Sequence, residues 1–137
     1  MPHILRPEKG KTLEQSYTGN KYPNAKGDTQ CVEFILQTFP DAAGKSTLAW
    51  REGKKIIKGD LSVAPGTAIA TFVDGKYSHL GSPNQHAAVY LGQDQHGIQV
   101  LDQWKGKMDG VSARTIYWKP IKPGLSNDGN AFSVIEW

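Results

Sequence analysis

An α+β domain, one helix followed by an antiparallel sheet, is the fold class this chain predicts. Three observations carry it. Residues 30–39 place Val32, Phe34, Ile35, Leu36 and Phe39 at helical spacing, between a capping Thr29 and a terminating Pro40. From Lys54 onward the texture changes to short β-branched and aromatic runs parted by Gly, Pro and Asn. Two of those runs are joined only by the stretch from Gly92 to Gly97, which fits an antiparallel hairpin.

Residues 1–27, with turn signals such as Tyr22-Pro23-Asn24, read as an irregular arm. The helix over Gln30–Phe39 comes next, and a second helix or turn covers Ser46–Arg51. The expected strands are Thr67–Val73, His86–Leu91, Ile98–Gln103, Ala113–Trp118 and Phe132–Glu136. Asp74-Gly75 marks a turn after the first of them. No repeat, low-complexity tract or linker divides the chain, so residues 1–137 are expected to form one domain.

A hydrophobic content of 38% against 21% charged residues suits a packed globule and argues against broad disorder. The net charge of +3 comes from scattered Lys and Arg, with only Lys54, Lys55 and Lys58 close together. That is a weak attraction to anionic surfaces and not a nucleic-acid footprint. No stretch approaches a membrane span, and the opening Met-Pro-His-Ile-Leu-Arg-Pro lacks the apolar core of a signal peptide. The expectation is a cytoplasmic location in the producing cell, with any export independent of a signal peptide.

Cys31 is the only cysteine, which excludes an internal disulfide and a multi-cysteine zinc site. It falls in the first turn of the expected helix, where unpaired N–H groups and the positive dipole end favour a thiolate. His86 leads a strand, and hairpin pairing sets it opposite position 102, 103 or 104. A histidine serving as base needs an acceptor on its far nitrogen, and Asp102 is the best candidate because a carboxylate also stabilises the imidazolium. Gln103 is the alternative third member if the register differs by one residue.

These residues resemble a family. Gln30-Cys31-Val32-Glu33-Phe34, then His86-Ala87-Ala88-Val89, then Val100-Leu101-Asp102-Gln103 look like the CHAP amidases, papain-like relatives of the NlpC-type cell-wall peptidases. The segment from Val63 to Phe72 also resembles the strand that precedes the histidine loop in those enzymes. The resemblance implies a papain-like fold, with the helix carrying Cys31 packed on the sheet, and a cysteine amidase acting through Cys31 as nucleophile, His86 as base and Asp102 as orienting residue. It implies a peptide of bacterial peptidoglycan as substrate, and by analogy a type VI secretion effector with an immunity protein as partner. Neither metal nor cofactor is implied. Gln30, Tyr22, His79 and Trp104 are candidate oxyanion or substrate contacts, Trp104 as a wall of the cleft.

Other motifs carry less. Gly44-Lys45-Ser46-Thr47 imitates the end of a phosphate loop, but Phe39 stands where its first glycine is required. Cys31, His79 and His86 lack a fourth ligand for zinc. The competing readings are a non-catalytic interaction module on the same scaffold and an amidase of a small glutathione-type conjugate.

Overall fold

A computed structural model describes residues 2–42, 44–77 and 80–137. The elements run α1 (Leu13–Tyr17), α2 (Cys31–Thr38), β1 (Arg51–Lys55), β2 (Ala68–Val73), β3 (Lys76–Tyr77), β4 (Ala87–Gln93), β5 (Gly97–Asp102), β6 (Ser112–Tyr117) and β7 (Phe132–Glu136), with short 3-10 turns between them. The five expected strands are present within a residue or two of their expected bounds. Together with β1 and β3 they form a single sheet in the order β3-β1-β7-β2-β4-β5-β6. All of its pairings are antiparallel.

The helix α2 forms where its periodicity places it and buries Phe34 and Ile35 completely, each contributing about 1.5–3 kcal/mol by removal from water. Those side chains meet Ala87, Val89 and Leu101 on one face of the sheet. The opposite face packs Ile69, Ala88, Tyr90, Ile98, Val100 and Phe132 into a second core. Successive residues of β4 and β5 therefore serve different cores, as the two-residue period of a strand requires.

Three features depart from expectation. The helix begins one residue later than a Thr29 cap needs: Gln30 is its N-cap, with no side-chain capping bond, and the Thr29 hydroxyl donates instead to the Trp104 carbonyl at 3.1 Å. The arm is ordered. A capping box between Thr12 and Gln15 supports α1, and Ile4 bridges to Thr67. Strand β1 has the sequence Arg-Glu-Gly-Lys-Lys, which carries no apolar alternation; it is held by backbone pairing to β7 and by Ser133 donating to Glu52 at 2.7 Å. Strand β3 pairs with both β1 and β2, so β1, β7, β2 and β3 close on themselves like a small barrel.

The arm is fastened at Gly66. Its φ is +94°, and a β-carbon there would stand 2.5 Å from the Leu5 carbonyl oxygen. Backbone strain and overpacking of this kind each cost about 1–3 kcal/mol. Gly66→Ala is therefore expected to lower stability by about 2 kcal/mol or more, read as a fall in the urea midpoint at constant slope.

Candidate active site

The β4–β5 register builds the site. Val89 pairs with Leu101 and Tyr90 with Val100. Continuing that register sets His86 across from Trp104, with Asp102 as its diagonal neighbour on the same face. The diagonal is closed by a 2.7 Å hydrogen bond between His86 Nε2 and Asp102 Oδ2. The backbone of His86 is fixed from the other side: its N–H donates to the Thr71 hydroxyl at 3.1 Å, and its carbonyl accepts the Thr71 N–H at 3.0 Å.

With Nε2 committed to Asp102, Nδ1 of His86 is left free for the Cys31 thiol, whose titration the imidazole lowers. Burial alone would push that thiol up. The hydrogen bond and charge of His86, the Ala87 N–H and the Tyr77 hydroxyl outweigh it, and Cys31 lies below the ordinary thiol range. Burial likewise disfavours a charged His86, but Asp102 and Cys31 overcome it and raise the imidazole to about 9. The two shifts run in opposite directions, and their sense is a thiolate–imidazolium pair. Tyr77 Oη stands 3.7 Å from the sulfur. Its own titration is pushed upward by burial and by Cys31, so the phenol stays protonated and donates toward the thiolate.

Asp102 is fully buried, and its Oδ2 also accepts a hydrogen bond from Arg114 Nε at 2.8 Å, with Arg114 Nη2 ion-paired at 2.8 Å. The other oxygen, Oδ1, is buried without a hydrogen-bond partner. The Arg114 guanidinium lies 5.0 Å from the centre of the Trp104 ring, while the Trp104 and His86 rings stand edge to face at 6.5 Å. One carboxylate oxygen thus fixes both the imidazole and the cation that roofs it.

Gln103 takes no part in this network. Its side chain points to the α2 side, donating to the carbonyls of Tyr22 and Gln30 at 2.9 Å each and accepting the Tyr22 N–H at 3.1 Å. This corrects two expectations. Gln103 is the clamp that holds the arm to the start of α2, one residue and one sheet face away from the histidine. Tyr22 has its N–H occupied and its ring stacked on Phe34 at 5.4 Å, so it is not positioned as an oxyanion donor. Gln30 and Trp104 do line the cleft above Cys31, a hollow of about 930 Å³ that also includes Tyr77, His86 and Arg114. His79 lies outside the described residues.

Tyr77 and Arg114 were not legible as site residues. Tyr77 follows the Asp74-Gly75 turn on a two-residue strand too short for a periodic signal. Arg114 pairs with Val100, but the connection from Trp104 to Val111 is too long to fix that register from the sequence.

Comparison with known proteins adds a consistent set of relatives. Residues 7–135 match the family described as Domesticated amidase effector 2. The chain is 36% identical over 134 residues to a type VI secretion amidase effector 2 protein of Salmonella typhi, covering 84% of this chain and 97% of that one. It is 32% identical over 108 residues to domesticated amidase effector 2 of Ixodes scapularis, covering 78% and 70%. A solved structure of type 6 secretion amidase effector 2 superposes with a TM-score of 0.74 at 29% identity, covering 92% of both chains.

Iodoacetamide should alkylate Cys31 faster than a model thiol at mildly acidic pH, because its thiolate forms below the ordinary thiol range. In His86→Ala the rate at mildly acidic pH should fall more than about tenfold, since burial is then opposed only by the Ala87 N–H and the Tyr77 hydroxyl. Arg114→Met leaves a buried carboxylate with one partner fewer and should cost about 2–3 kcal/mol in a denaturant titration.

Proposed function

The chain belongs to the Domesticated amidase effector 2 family, and from that membership we propose that it is a papain-like cysteine amidase hydrolysing an amide bond in peptidoglycan peptides. The observation that carries the reading is Cys31 in the first turn of α2, sharing a cleft with a histidine that lowers its titration and whose Nε2 is held by a buried carboxylate.

In this reading the Cys31 thiolate attacks the amide carbonyl, forming a C–S bond and an oxyanion. The Cys31 backbone N–H, at the unsatisfied start of the helix, faces the oxyanion, and the Gln30 carboxamide in the cleft is the candidate second donor. The C–N bond then breaks as the imidazolium passes its proton to the leaving amine, leaving a thioester on Cys31 and a neutral imidazole. Water attacks the thioester with His86 taking its proton. The C–S bond breaks, the acid product departs, and the thiolate–imidazolium pair is restored. Asp102 keeps Nε2 protonated and Nδ1 toward the sulfur throughout. Arg114 holds Asp102 in place, and Tyr77 donates to the sulfur while it is anionic.

The similarity to type VI secretion amidase effector 2 supports delivery as a bacterial type VI effector, exported without a signal peptide and restrained in the producing cell by an immunity protein. No helix among the described residues is long and apolar enough to cross a membrane.

Incubation with purified peptidoglycan followed by mass analysis tests the reading. The protein should release fragments carrying a newly freed amine, and Cys31→Ala should release none; equal release by the variant would overturn it. Asp102→Asn should remain folded and lose about 10²–10⁴-fold in rate, as expected when the histidine loses its tautomer control.

A further inference from the structure

The cleft carries charge that the reaction at Cys31 does not use. Among the described residues, three cations besides the His86 imidazolium line it, Lys105, Arg114 and Lys122, and no carboxylate does. Two of the three are engaged: Arg114 on Asp102, and Lys105 within 3.7 Å of Asp28. Lys122 is exposed and makes no ion pair among the described residues. Nearby in the same wall, the Ser126 hydroxyl is buried with no hydrogen-bond partner. A buried hydroxyl left unpaired costs about 1–3 kcal/mol, and rotation of the half-buried Ser126 side chain into the cleft would let an acceptor on a ligand relieve that cost.

The segment bearing these groups is rigid. The Gly124 backbone, at φ +106°, lies so close to the facing loop that a β-carbon would stand 2.5 Å from the Pro83 carbonyl oxygen. Ser126 N–H donates to that carbonyl at 2.8 Å, and Leu125 N–H donates to Asn84 Oδ1 at 3.1 Å. Asn127 closes the segment on itself by donating to the Pro123 carbonyl at 2.9 Å. Beyond it a second hollow of about 200 Å³ continues over β6, and Arg114, Lys122 and Asn127 line both hollows. A ligand seated at Cys31 can therefore extend past Lys122 without leaving the surface.

We propose that Lys122 and Ser126 form a carboxylate-binding subsite, which receives a free carboxylate on the branch of the substrate that extends from Cys31 over β6. The ammonium supplies charge and the hydroxyl supplies a directed donor. Because residues 123–127 are already tied down, the ordering cost of binding falls mainly on the Lys122 side chain. The subsite rests on the amidase reading above and narrows its substrate class to peptides bearing a carboxylate away from the scissile bond.

Alkylation of Cys31 by N-iodoacetyl glycine, diglycine and triglycine, each as free acid and as amide, tests this without the natural substrate. At the length that reaches Lys122, the acid-to-amide rate ratio should exceed that of 2-mercaptoethanol by about three- to fivefold, the range of an exposed ion pair. Lys122→Met should return it to the 2-mercaptoethanol value, Ser126→Ala should reduce it, and Lys105→Met should preserve it. A ratio no greater than that of 2-mercaptoethanol at every length, or one unchanged in Lys122→Met, would overturn the subsite. Slow alkylation by acids and amides alike would instead count against the activated cysteine. In that event, titration of Cys31→Ala with N-acetyl triglycine decides the subsite by amide ¹H–¹⁵N shifts: those of residues 122–127 must move with the acid and not with its amide.

Discussion

The pairing of β4 with β5 is the constraint on which the rest depends. With Val89 opposite Leu101, the diagonal from His86 reaches Asp102, and Gln103 falls on the other face. A slip of one residue would put a carboxylate against the core beneath α2 and an amide beside the imidazole. The register is secured on both flanks. Ala70 pairs with Ala87 on one side, and six consecutive pairs from Gly97↔Tyr117 to Asp102↔Ser112 hold the other.

Two adjacent residues at the end of β5 thus place both halves of the site. Asp102 fixes the imidazole through a single oxygen that it shares with Arg114. Gln103, turned the opposite way, fastens the Gln30 carbonyl and the Tyr22 main chain, and so sets where α2 begins and where the sulfur sits. The distance between nucleophile and base is governed less by either residue's own element than by the end of a strand lying between them. Buried polar groups satisfied this completely favour one arrangement over its neighbours. The unpaired Oδ1 of Asp102 is the exception, at the point where three groups crowd onto Oδ2.

The helix, the five longer strands and the α+β class were legible because each carries periodicity or β-branched content. Cys31 was legible as a candidate from its place in the first turn of the expected helix, and His86 and Asp102 because the short β4–β5 connection limits register to a few choices; the structure sets His86 between the other two. Strand β1 was hidden because its stability lies in backbone pairing and in Glu52, not in apolar side chains. The one regular element of the irregular arm was missed because a five-residue helix offers too little pattern, although Thr12 and Gln15 in a capping box are a signal that could have been found. Tyr77 and Arg114 depended on pairings set by distant segments, which no local window contains.

The place of β7 in the sheet has a consequence for how the molecule comes into being. It follows every other strand in the chain yet lies in space between β1 and β2, and its first residue, Phe132, stands edge-on to the His86 ring at 6.4 Å. A nascent chain still lacking β7 has β1 tied to the sheet only through the two-residue β3, and it has no Phe132 behind its imidazole. Contacts of such long range form slowly and late. Competence would then arrive all at once, with the final strand, and a cell translating this message would hold little partly active protein along the way.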